Sequence, residues 1–254
     1  MSQSKRIWGW FFYDWACQPF YTLMLTFFFA PYFATVAANY FVASGMEIEA
    51  SKAKAQTMWS ICLSASGLFI GISAPILGAI ADTSGRRMPW IYVFSIMLIV
   101  GALGTWVGVP DGSNLTLMLY FFALGYIGTE FALIFTNAQL TTLGNQNEIG
   151  KISGSGFGFG YLGGVFALAI ALLFLVEQPN GTTFMLGIEP LFGFLNPENM
   201  EGTRFVGPLA AVWFIVFAIP YFKNMKDDPA LLNKINVEKG LKDLFQLLKS
   251  LKAR

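Results

Sequence analysis

Apolar residues run almost unbroken over roughly 7–43, 56–81, 89–109, 115–140, 152–176 and 204–222, with polar residues gathered in the short stretches between. A helix rises about 1.5 Å per residue and the hydrocarbon layer of a bilayer is about 30 Å thick, so about 20 apolar residues span it. Each run is about long enough. Backbone amides in lipid must be paired within the structure, and the runs show no strict alternation, so they predict helices and not a β-barrel. The expected fold class is an all-α membrane protein with six transmembrane helices over 1–226, followed by a distinct tail, 227–254. The first run exceeds one crossing, so it is expected to start in the interface at Trp8 and Trp10 and to bend near Pro19 or Pro31. It is also too long for the apolar core of a removable signal peptide, about 7–15 residues, and it contains an acid.

The tail changes character. Leu241, Leu244, Phe245, Leu248 and Leu251 recur at helical spacing, with Lys242, Lys249, Lys252 and Arg254 between them. This pattern fits an amphipathic helix, either lying on the cytoplasmic leaflet or packed on its own protein. The stretch 177–203 is broken by Gly and Pro and is expected to lie on the outer surface.

Charge sets the orientation. With the N-terminus inside, thirteen Lys and Arg residues fall on the inner side, among them Lys5, Arg6, Arg86, Arg87 and Lys151, and three fall outside, Lys52, Lys54 and Arg204. That asymmetry predicts both termini in the cytoplasm, with a bacterial inner membrane as the expected location. Across 254 residues, 55% are hydrophobic and 12% charged, about half the charge of a soluble chain. The mixture excludes a soluble globule, a disordered chain and a nucleic-acid-binding surface. Histidine is absent, which removes Ser-His and Cys-His catalysis, His-ligated metals and histidine proton relays. Cys17 and Cys62 lie in different apolar runs and read as buried, inert thiols. No metal and no cofactor are expected.

Two acids, Asp14 and Glu130, fall well inside apolar runs. An acid at the bilayer centre costs about 2.5–3.5 kcal/mol on insertion scales, so each is a functional candidate. Tyr126, Glu130, Asn137 and Thr141 share one face of the fourth helix and should turn toward the bundle interior or a water-filled cavity. Glu130 is expected to carry a proton or pair with a substrate amine, with Asn137 beside it; the alternative is a structural hydrogen-bonding role. Asp14, Gln18 and Tyr21 form a similar stripe in the first helix, where Asp14 suits a structural or gating role as well as direct binding. The fifth run holds Gly154, Gly156, Gly158, Gly160, Gly163 and Gly164. Although 158–163 matches G-x-G-x-x-G, no strand precedes it, and the glycines are expected to serve tight helix packing.

Between the second and third runs stands Gly78-Ala79-Ile80-Ala81-Asp82-Thr83-Ser84-Gly85-Arg86-Arg87. Gly78 should permit close helix approach, Asp82 should stop the helix at the interface, Gly85 should supply a tight turn, and Arg86 and Arg87 should hold the loop inside. The pattern resembles the G-x-x-x-D-x-x-G-R-[RK] loop of major facilitator superfamily transporters, with Thr83 where a basic residue is usual. Trp8 to Phe20, continuing to Phe33, and Gly150 to Gly164 are similar to the UMF1, or Atg22-like, branch of that superfamily. The resemblance extends over essentially the whole chain. It implies a secondary transporter of small metabolites, amino acids among them, gradient- or proton-coupled and working by alternating access. That superfamily has twelve helices in two halves, so six imply an N-terminal half, completed by a missing second half or by a second copy. The expected partners are therefore lipid, a small-molecule substrate and that completing half. A non-transporting six-helix assembly partner is the alternative. An intramembrane aspartyl protease would need G-x-G-D as a partner to Tyr13-Asp14, and the chain lacks it.

Overall fold

The structure, a computed structural model, describes residues 2–229, 232–233 and 237–252, the last stretch without the side chains at 243, 247, 248 and 250–252. It is all-α: six helical stretches are long and apolar enough to cross a membrane, namely Gln3–Ala43, Ile48–Ser84, Met88–Val107, Leu115–Thr142, Gln146–Phe174 and Glu201–Asn224. Among the described residues the one extended pairing is an isolated bridge between Glu177 and Thr183. The chain is an integral, multi-pass membrane protein.

The first span is three pieces: α1 (Gln3–Pro19), a π-helical stretch (Phe20–Phe27) and α2 (Phe29–Ala43). Pro19 has no N–H, and its ring crowds the carbonyl four residues back. That carbonyl belongs to Trp15, and the indole Nε1 of Trp213 donates to it at 3.3 Å. Beyond Pro19 the helix widens, and Phe28 N–H donates to the Leu23 carbonyl, five residues back, at 3.0 Å. The bend therefore begins at Pro19 and ends at Phe28, where φ is −124° and ψ −56°. Pro31 sits in the first turn of α2, where its missing donor costs nothing.

The second span, α3 (Ile48–Ser84), outruns its apolar core at both ends. Lys52 and Lys54, expected in a loop, stand exposed on its first turns. Glu47 caps it by accepting from Ala50 N–H at 3.1 Å, and backbone donors from Glu49 and Ala50 hold the Glu47 carboxyl below the usual range. At the far end Gly85, at φ +64°, turns the chain out of the helix. The crossing of α4 (Met88–Gly104) and α5 (Leu115–Ala138) is close because it is built on glycine: a Cβ at Gly101 would run into the backbone of Gly125, and one at Gly128 into the backbone of Phe94 and Leu98. Between them Phe94 stacks on Phe131 at 4.6 Å.

The fifth span, α6 (Gln146–Phe174), starts several residues before its apolar run because Asn145 and Glu148 form a reciprocal cap. The sixth is the near-continuous set α7 (Glu201–Arg204), α8 (Val206–Phe217) and α9 (Ile219–Asn224). Glu177 caps its start, accepting from Thr203 N–H at 3.1 Å, and burial pushes its carboxyl above the usual range. Arg204 is buried beside it, with its guanidinium 4.5 Å from the Trp106 ring and donating to the Trp106 carbonyl at 2.7 Å.

Gln3 donates to the Leu143 carbonyl at 2.9 Å, and Arg6 to Thr142 Oγ1 at 2.7 Å. These contacts put the starts of α1 and α6 and the end of α5 at one end of the bundle. The tail forms α10 (Val237–Lys252), which lies on α3: a Cβ at Gly240 would be 3.1 Å from the Ile80 backbone. Leu244 is half-buried and Phe245 exposed. The side chains of Leu248, Leu251 and Lys252, and Arg254 altogether, lie outside the described residues.

Candidate functional site

The two polar stripes meet. Asp14 and Gln18 from α1, Tyr21 from the π-helical stretch, and Glu130 and Asn137 from α5 line one cavity of about 860 Å³. Tyr21 Oη donates to Glu130 Oε1 at 2.9 Å, joining the first span to the fourth. The π-helical stretch matters here because it also turns Thr22, Leu25, Thr26 and Phe27 to the same space. Such wide turns recur at functional sites in other helices.

Tyr126 is the exception among the proposed residues. It does not line the cavity but stacks on Phe122 at 6.0 Å, one turn away on α5. Thr141 is exposed beyond the helix end. The cavity instead takes Glu130, Leu133 and Asn137 from α5 and Leu140 just beyond it.

The third wall comes from α6. Ser153, Phe157 and Tyr161, spaced by four, line the cavity, and the sequence reading passed over them because glycines dominate that stretch. Those glycines divide by face. A Cβ at Gly156 would strike Trp10 and Phe11, at Gly163 the Trp15 backbone, and at Gly164 the hydroxyl of Thr22, so these three hold α6 against the first span. Gly160 seats the carboxylate of Asp14, whose Oδ2 is buried there without a hydrogen-bond partner. Gly154 and Gly158 meet nothing within 4 Å among the described residues.

At the end of the bundle that holds the N-terminus, Arg87 donates to Asp82 Oδ1 at 2.8 Å and to the Ala138 carbonyl of α5 at 3.0 Å. Arg86 Nε donates to the Asn233 carbonyl at 3.2 Å. Asp82 does not stop α3, which continues to Ser84; it anchors Arg87. Gly78 faces open space beside α10 and makes no close helix approach. Asp227, after the sixth span, was not foreseen: its carboxylate accepts from the backbone N–H of Arg87 at 3.0 Å and of Met88 at 3.1 Å, capping α4.

Comparison with known proteins gives one informative similarity. The chain is 25% identical over 224 residues to a protein of Bacillus subtilis (strain 168) described as an uncharacterized MFS-type transporter, YxiO. The match covers 87% of this chain and 47% of that relative, so the chain spans about half the relative's length. No protein-family profile matches the sequence. No solved structure matches it either.

Proposed function

We propose that this chain is a secondary active transporter of the major facilitator superfamily, or its N-terminal half, and moves small metabolites by alternating access with proton coupling. The Tyr21–Glu130 hydrogen bond carries the proposal. It sets an acid, costly in lipid, on the wall of a cavity between helices, where protonation would weaken its hold on a hydroxyl of another span and so couple charge to helix position. The similarity to an MFS-type transporter supports transport rather than catalysis.

The finer parts follow the motifs. The sequence around Asp14 and in the glycine-rich α6 supports a reading within the UMF1, or Atg22-like, branch, for which amino acids are the first substrates to try. The excess of Lys and Arg in the loops on one side supports an orientation with both termini in the cytoplasm, in a bacterial inner membrane. Among the six spans α3 and α6 are the least buried, and their exposed Leu68, Phe69, Phe157 and Leu162 supply a face for a second six-helix half or a second copy. A second role, as an assembly partner without transport of its own, draws on the same half-length match. Reading the DNA beyond codon 254 for six further apolar runs discriminates between them.

The test is flux. In vesicles holding the complete assembly, an imposed proton gradient should drive uptake of candidate amino acids, and Glu130→Gln should abolish the dependence on the gradient. Gradient-driven uptake that is unchanged in Glu130→Gln at every pH removes Glu130 from the mechanism.

A further inference from the structure

The charge of the cavity is one-sided. Resting on the transporter assignment above, we propose that the substrate selected by this wall is a cation, an amine or quaternary ammonium with an apolar body, and not an anion. Among the described residues, Asp14 and Glu130 are the charged side chains on the lining, which includes neither Lys nor Arg. Arg6, Arg87 and Arg204 are engaged elsewhere, with Thr142, with Asp82 and Ala138, and with Trp106, and Lys151 lines a separate cleft with Glu148.

Protein donors satisfy these two acids only in part, Tyr21 on Glu130 and the Gln18 side chain on Asp14. Tyr21 occupies one oxygen of Glu130, and Asp14 Oδ2 lies against Gly160 with no donor at all. Carboxylates enclosed in a low-dielectric wall without counter-charge favour an incoming cation strongly. The remaining wall fits such a guest, since Trp10, Phe157 and Tyr161 present aromatic rings, and ring faces attract cations. An anion would meet like charge, with only neutral donors such as Gln18 and Asn137 to receive it.

The experiment uses two ions of one shape and opposite charge, tetraphenylphosphonium and tetraphenylborate, in equilibrium dialysis against the purified full chain in detergent, with empty micelles as the blank. Tetraphenylphosphonium should bind saturably, and Glu130→Gln or Asp14→Asn should weaken it by about tenfold or more, the value of one charge-assisted contact. Tetraphenylborate should bind no better than to micelles. Glu130→Lys combined with Asp14→Asn should reverse the preference, a gain that misfolding cannot produce. Equal binding of the two ions, or tetraphenylphosphonium affinity unchanged in both acid variants, overturns the proposal. Flux separates this from the transport assignment. Selective binding of tetraphenylphosphonium without gradient-driven movement defeats transport and leaves the charge preference standing. Gradient-driven movement of tetraphenylborate that depends on Glu130 preserves transport and defeats the charge preference.

Discussion

At Pro19 the chain loses one backbone donor, and the Trp15 carbonyl left over is taken by a side chain from the sixth span. Trp213→Phe keeps a ring against Trp15, which Trp213 stacks on at 6.0 Å, and removes only the donor. It should lower stability by about 1 kcal/mol, the cost of one unmade buried hydrogen bond, read as a lower melting temperature in detergent. Gly160→Ala should displace the Asp14 carboxylate, and its cost should shrink markedly when Asp14 is also changed to Ala; Gly158→Ala, facing open space, should be near neutral. A double-mutant cycle of thermal unfolding measures this coupling, and additivity would refute the contact. Asp14 and Glu130 were legible in the sequence because an acid in an apolar run is conspicuous. The burial of Arg204 was not, because a cation at the end of a run looks the same whether it faces water or a tryptophan ring.

Element boundaries depend on caps more than on hydropathy. The apolar pattern located all six spans, yet α3 and α6 begin earlier than their apolar cores because Glu47 and Asn145 satisfy their first amides. Asp227 does the same for α4 from 139 residues away in sequence, a contact that no local pattern announces. Asp227→Ala should cost about 1 kcal/mol, and Asp227→Asn, which keeps an acceptor, distinctly less, both measured by thermal unfolding. Glu177 gives a pH signature at the opposite end of the bundle. Its folded carboxyl holds a proton to higher pH than an unfolded one, so the folded state binds more protons between those two values. Stability should therefore fall as pH rises from the ordinary carboxylate range through the raised value, and Glu177→Gln should flatten that slope. A slope unaltered in the variant would assign it to another group. The π-helical stretch could be foreseen only as a bend, since Pro19 removes a hydrogen bond but does not specify how the next eight residues repair the ladder.

In the whole molecule, two helical stripes separated by more than a hundred residues converge on one cavity, with the glycine face of α6 letting the third wall approach. The stripes were visible as spacings; their meeting depended on which helices neighbour one another, which spacing alone does not encode. A cavity reached by water, inside a bundle covered by lipid, is what the structure implies. It is tested most directly by thiol labelling of membrane-embedded protein in which Cys17 and Cys62 are replaced by alanine and single cysteines are placed at Asn137, Ser153 or Ile96. Asn137 and Ser153 line the cavity, whereas Ile96 lies on the outer face of α4. A water-soluble maleimide should label Asn137→Cys and Ser153→Cys and leave Ile96→Cys unmodified until detergent is added. Equal labelling of all three, or reaction at Ile96→Cys alone, would contradict the account.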